Sequence, residues 1–136
     1  LAIVSNEELS VRINNGDFAI WLTTEYLKGY RCQCQYVAYL AEDITIEEHD
    51  YSRSVLASSK EYKELQRKYI KGKFLLKKLQ EALGQLPEAE RTILQKRYID
   101  RETTPWSEVA ETIGYHEKTC YRLRDKALSS VAEILF

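Results

Sequence analysis

The sequence predicts an all-α chain in which long heptad helices, forming a helical hairpin or coiled coil, precede a helix-turn-helix. Three observations lead there. Two prolines and five glycines are all that punctuate 136 residues rich in Leu, Glu, Lys and Tyr, a composition that favours helix throughout. Apolar residues across 60–86 recur in alternating steps of three and four, the spacing of one helix face. The last third, Trp106 to Leu128, reads as a short helix, a tight turn and a longer helix.

Taken in order, Ser5-Asn6-Glu7-Glu8 is a capping box, with Ser5 as N-cap and Glu8 three positions on. It opens a short helix carrying Leu9, Val11 and Ile13, which Asn14-Asn15-Gly16 stops, and Asp17 caps the next. Residues 18–44 form one long helical candidate whose seam is Ala19, Tyr26, Tyr30, Gln33, Val37, Leu40 and Ile44, flanked by Tyr36 and Tyr39. These tyrosines read as rings packed on a neighbour with hydroxyls at the rim; a base-stacking platform suits an acidic segment less well. Thr45 to Ser59 has no seam and reads as a loop. Its Glu47, His49 and Asp50 are too few, without a second cluster, to hold a metal.

Residues 60–86 give the clearest helix, with Tyr62, Leu65, Tyr69, Gly72, Leu76, Leu79, Leu83 and Leu86 as its seam. A helix of that length is about 40 Å long. It must lay the seam on the preceding helix, on a second copy of itself, or on both. Its flanks carry Lys60, Lys63, Arg67, Lys68, Lys71, Lys73, Lys77 and Lys78. These form a solvated surface, or, at Lys77 and Lys78 nearest the C-terminal part, reach phosphates. Pro87 separates this helix from another over Glu88 to Ile99, with Ile93, Leu94, Tyr98 and Ile99 inward. Acidic residues open that helix and basic ones close it, as the helix dipole prefers. Asp100 to Pro105 is a polar connection.

In the last third, Trp106, Val109, Ala110 and Ile113 form the apolar face of the short helix, and Gly114 makes the turn. The second helix hides Cys120, Leu123, Ala127, Leu128, Val131 and Ile134 and shows Lys118, Thr119, Tyr121, Arg122 and Asp125. That is a helix-turn-helix layout, whose second helix enters the DNA major groove with its N-terminal side chains on base edges. The plainer alternative is an αα-hairpin with a solvated polar face.

Composition restricts the other classes. No apolar run approaches the roughly 18 residues of a membrane span. Glu7 and Glu8 stand where a signal peptide needs basic residues, so a cytoplasmic protein is expected. Cys32 and Cys34 lack a second Cys/His pair at zinc spacing, and Cys120 reads as a small core residue. Two histidines, without a nucleophile–base constellation or a phosphate-cradling glycine loop, argue against an enzyme and imply no cofactor. Net charge is −1 but segregated: −5 over residues 1–59, +5 over 60–85 and −1 over 86–136.

Leu86-Pro87-Glu88-Ala89-Glu90-Arg91-Thr92-Ile93-Leu94-Gln95-Lys96-Arg97-Tyr98-Ile99, then Trp106 to Tyr115, Tyr121-Arg122-Leu123 and Lys126-Ala127-Leu128, resemble region 4 of sigma-70-type initiation factors. The layout is closer still to the ArpU/RinA-like phage transcriptional regulators, including a Tyr-Leu-Lys-x-Tyr-Arg opening over Tyr26 to Arg31. The resemblance implies two domains: residues 1–85 for dimerisation or partner binding, and residues 86–136 for DNA. It implies a sequence-specific regulator in the host cytoplasm, activating phage late genes for packaging and lysis at promoters with host RNA polymerase. Its partners would be double-stranded promoter DNA and RNA polymerase. One isolated helix-turn-helix binds weakly and symmetry is the common remedy, so a homodimer is expected.

Base contacts would come from Glu117, Lys118, Thr119, Tyr121 and Arg122, with Arg122 bidentate to guanine. Phosphate contacts would come from Arg97, Arg124 and Lys126, with Lys77 and Lys78 adding to them. Where sigma region 4 usually has a Ser/Thr N-cap followed by arginine, this chain has His116 and Glu117. The cap is then weaker, and the promoter sequence read must differ. Asn6 to Asp17 also resembles the opening of sigma region 2, but the segment after it lacks the basic and aromatic cluster that melts promoters. The alternative function is a non-DNA-binding adaptor that contacts RNA polymerase or a sigma factor.

Overall fold

The computed structural model describes residues 17–136. The predicted capping box, the short helix after it and the sigma-region-2-like stretch up to Gly16 lie outside the described residues. The fold is all-α: among the described residues there are helices and no strand. In chain order these are α1 (Asp17–Lys28), α2 (Tyr30–Asp50), α3 (Arg53–Ser58), α4 (Lys60–Gly84), α5 (Glu88–Leu94), a π turn (Gln95–Ile99), α6 (Trp106–Ile113) and α7 (Glu117–Leu135). They form two compact units. One holds residues 17–29 with 79–136, the other Tyr30–Lys78.

In the second unit, α2 and α4 pair within one chain as an antiparallel hairpin. Val37 and Gln33 of α2 lie against Gly72 of α4, while Glu48, further along α2, accepts a 2.6 Å hydrogen bond from Tyr62 Oη, nearer the start of α4. That bond, before the effect of burial, holds the Tyr62 proton more tightly than in an ordinary tyrosine. The α4 seam is as the spacing predicts. Gly72 and Leu76 are buried, Tyr62, Leu65 and Tyr69 half-buried, and Lys63, Arg67, Lys68, Lys71, Lys73 and Lys77 exposed.

Gly72 interrupts an apolar seam because the helices touch there. A Cβ on it would stand 2.9 Å from Val37 Cγ2 and 3.1 Å from Gln33 Nε2. Valine is stiff at χ1 and cannot swing aside cheaply. Gly72→Leu is therefore expected to destabilise the protein by about 1–3 kcal/mol through overpacking. Gly72→Ala should change stability far less, because its helix-propensity gain of about 1 kcal/mol offsets the displaced valine. Denaturant melts of both variants check this, and a leucine variant as stable as wild type would remove the close-approach explanation.

Three sequence expectations are corrected. The single helix expected over 18–44 is two, because α1 ends at Lys28 and Gly29, a poor helix former, closes it with an N–H bond to Glu25 O (3.0 Å). Residues 17–29 therefore pack with the C-terminal helices, whereas the sequence divides at residue 85. Inward on α1 are Thr23 and Leu27, both fully buried, while Ala19 and Tyr26 of the expected seam are half-buried. Thr23 is tolerated there because its hydroxyl donates to Ala19 O at 2.7 Å.

The loop expected over 45–59 is largely helical. Here α2 runs on to Asp50, and α3 is capped by Ser52, whose Oγ accepts from Val55 N at 3.4 Å, and buries Leu56. Over 45–59 only Leu56 is buried, and Ile46 and Val55 are exposed, so no apolar seam marks these helices. The helix expected over Glu88 to Ile99 is α-helical only to Leu94. The π turn comes next, closed by Asp100 N–H to Gln95 O at 2.8 Å. One extra residue per turn re-aims the chain beyond it, so that Ile99 is buried and Arg97 meets Trp106.

The C-terminal unit packs α5, α6 and α7 around Ile93, Val109, Ala110 and Cys120, with Trp106, Ile113 and Leu123 against them. Both α1 and the π turn join this packing: α1 lies on α7 and on the π turn, and Tyr26 stacks on Phe136 at 6.2 Å. Burial pushes the Cys120 thiol above its ordinary pKa, as suits a core residue. Arg91 ties the end of α4 to the start of α5, donating to Leu83 O at 3.0 Å and Leu86 O at 2.9 Å. Leu83 O also accepts from Leu86 N at 3.2 Å, so the arginine reinforces the turn that leaves α4.

Candidate nucleic-acid interface

The candidate surface begins at the turn between α6 and α7. Gly114 adopts φ 78°, ψ 27°, and its N–H reaches Ala110 O at 2.9 Å, as does that of Tyr115 at 3.1 Å. This left-handed position suits glycine, since a Cβ there is strained in itself. The chain then re-enters helix at Glu117, with His116 as N-cap in an extended conformation that offers no side-chain hydrogen bond. The first-turn N–H groups are thus left without a side-chain acceptor. His116→Ser should stabilise the protein by about 0.5–1 kcal/mol through the missing cap. A thermal melt that does not rise would show that these groups are already satisfied.

Cys120, Ala127 and Val131 are fully buried on α7. The periodicity of 3.6 then places Lys118, Arg122, Asp125 and Ser129 on the opposite, outward stripe, and all are exposed. Glu117 is exposed in the first turn, where a carboxylate favours the helix dipole. Thr119 is half-buried and Lys126 exposed along one flank.

On the other flank, several of the expected contact residues meet at an aromatic ring that the sequence presents as core. Tyr121 meets the Trp106 ring edge-on, with centroids 4.9 Å apart and planes at 77°. The Arg97 guanidinium lies over Trp106 at 4.6 Å, and that of Arg124 lies over Trp106 and over Tyr121 at 5.5 Å each. Arg97 is held again by Nη1 donating to Thr104 O at 2.8 Å. Its Nε is buried without a hydrogen-bond partner. Arg124 Nε donates to Asp125 Oδ1 at 3.0 Å.

Of the expected site residues, the fold therefore gathers Arg97, Tyr121 and Arg124 around Trp106. It sets Lys118 and Arg122 one turn apart on the outward stripe. Lys77 and Lys78 belong to the other unit, where Lys78 Nζ lies 5.0 Å from the Phe74 ring centroid. Trp106 and Asp125 are the residues sequence reasoning assigned no part in the site. Nothing in the spacing announces that the side chain of residue 97 lies on that of residue 106. The adjacency of Asp125 to Arg124 was a visible signal. Among the described residues no cluster of His, Cys, Asp and Glu is fit for a metal ion, and no helix is long and apolar enough to cross a membrane. Comparison with protein-family models, curated proteins and solved structures finds no match to this chain.

Proposed function

We propose that this protein is a sequence-specific DNA-binding transcriptional regulator. It activates phage late genes at promoters with host RNA polymerase, as its resemblance to the ArpU/RinA-like regulators implies. The observation that carries the reading is the outward stripe of α7. Immediately after a left-handed glycine turn, Lys118 and Arg122 stand exposed on the face opposite the core. A second helix so presented fits a major groove, where Arg reads guanine through two parallel hydrogen bonds. Glu117 and Thr119 sit at the same end and would accept from cytosine or bond either base.

Mobility shift on late-gene promoter fragments of the protein's own genome, in a salt series, tests the reading. Specific retention with log affinity falling linearly in log salt is expected. No specific retention from folded protein would overturn it.

A second reading has an observation of its own. Tyr39, Ile70 and Phe74 are exposed by 69%, 65% and 60% in the hairpin unit, large apolar surfaces of the kind that contact protein. On this reading the protein is an adaptor for RNA polymerase or a sigma factor. Retention of polymerase without DNA binding would favour it.

A further inference from the structure

The guanidinium groups gathered at Trp106 bear a relation to Asp125 that the DNA reading does not by itself require. Two cations over one indole ring repel each other, and their positions are held by three attachments: the ring itself, the Thr104 carbonyl on Arg97 and the Asp125 carboxylate on Arg124. An arginine stacked on an aromatic face keeps its in-plane N–H donors free for a bidentate acceptor. Arg97 has one such donor, Nη1, engaged with a carbonyl and another, Nε, unpartnered but buried, so its contact with a phosphate rests on its other N–H groups. Arg124 differs, because its Nε is occupied by a carboxylate on the adjacent residue whose side chain is 66% exposed. That carboxylate lies on the outward stripe beside Arg122, where an approaching phosphate would be repelled.

The geometry points to Trp106 as the positioning residue of the interface. It holds Arg97 and Arg124 as paired donors for the phosphodiester backbone of duplex DNA, and Asp125 masks Arg124 until a phosphate displaces it. This rests on the DNA-binding reading and adds to it both a residue that organises the backbone contact and one that restrains it. Trp106 touches no nucleotide in this scheme. Its ring fixes the guanidinium planes, so that less side-chain freedom is lost when phosphate binds. The affinity of the unmodified protein for duplex is thus set below what its arginines would otherwise provide.

Phosphate contact is independent of sequence, so the test needs no known operator. Anisotropy titrations of a short mixed-sequence duplex are run in a salt series with the full chain and with Asp125→Asn, Trp106→Leu and Trp106→Phe. Asp125→Asn should bind roughly two- to five-fold tighter, the range that release of one exposed ion pair allows. A gain of this kind cannot come from misfolding. Trp106→Leu should bind more weakly, with a log–log salt slope shallower by about one for each arginine released. Trp106→Phe, which restores a π face, should recover most of the slope.

A leucine variant that is merely less stable would lower the active fraction and leave the slope of the remaining protein unchanged. An unchanged slope in Trp106→Leu, or no tightening in Asp125→Asn, overturns the inference while wild-type binding leaves the DNA reading intact. No salt-dependent binding by the wild-type chain overturns both.

Discussion

Replacing Lys118 and Arg122 together by alanine is expected to abolish specific retention of promoter DNA while leaving the fold untouched. Both side chains are exposed on the α7 stripe facing away from the core, and neither has a hydrogen-bond or ion-pair partner among the described residues. Their loss should therefore cost little stability, about 0.5 kcal/mol or less. A base-reading side chain is worth about 1–3 kcal/mol. The two stand one turn apart and need not add, so about 2–6 kcal/mol is the upper range for losing both, enough to bring a specific complex toward the level of non-specific binding. Arg122→Ala alone should also relax specificity at one base position, whereas a lost phosphate contact weakens all sequences alike. The check is a mobility shift on specific and scrambled fragments, with circular dichroism to verify the fold. Unchanged discrimination by the double variant would sink the assignment of α7 as the reading helix.

The second large effect is on stability. Ile93→Ala should cost about 2–5 kcal/mol, against a total of about 5–15 kcal/mol for a typical protein. Ile93 is fully buried and sits where α5 meets Val109 and Ala110 of α6 and Cys120 of α7. Its neighbours lie on two other helices of the same close-packed core, so little can move inward to fill the space left by the lost methylenes. The α6–α7 geometry depends on this core, so DNA binding should fall with the folded fraction and recover on cooling toward the temperature of maximal stability. Calorimetry of the variant beside wild type measures the loss. A change below about 1 kcal/mol would show that the site collapses more freely than close packing implies.

Much of this was legible in the residues because the information is local. The α4 seam from Tyr62 to Leu79, the inward stripe of α7 at Cys120, Ala127 and Val131, and Gly114 as the turn all derive from 3.6-residue periodicity and one backbone conformation. The outward placement of Lys118 and Arg122 is their complement. The same local logic misled where periodicity was diluted. Glu47, Glu48 and His49 hid the last turns of α2, and tyrosines at heptad spacing made α1 and α2 read as one helix across Gly29.

Tertiary structure decided what depends on groups distant along the chain. Whether the α4 seam met its own chain or another was undetermined by pattern, since an apolar stripe is satisfied by any complementary stripe. In the structure it meets α2 of the same chain, at the close approach of Gly72 to Val37 and Gln33. Likewise Arg97, Trp106, Tyr121 and Arg124 read as two charges, one core residue and one polar-face residue. A π turn and the crossing of α6 with α7 bring them to one ring. Amphipathic spacing sets which face of a helix is buried. The register and crossing of helices set which side chains meet, and these emerge from packing the whole core at once.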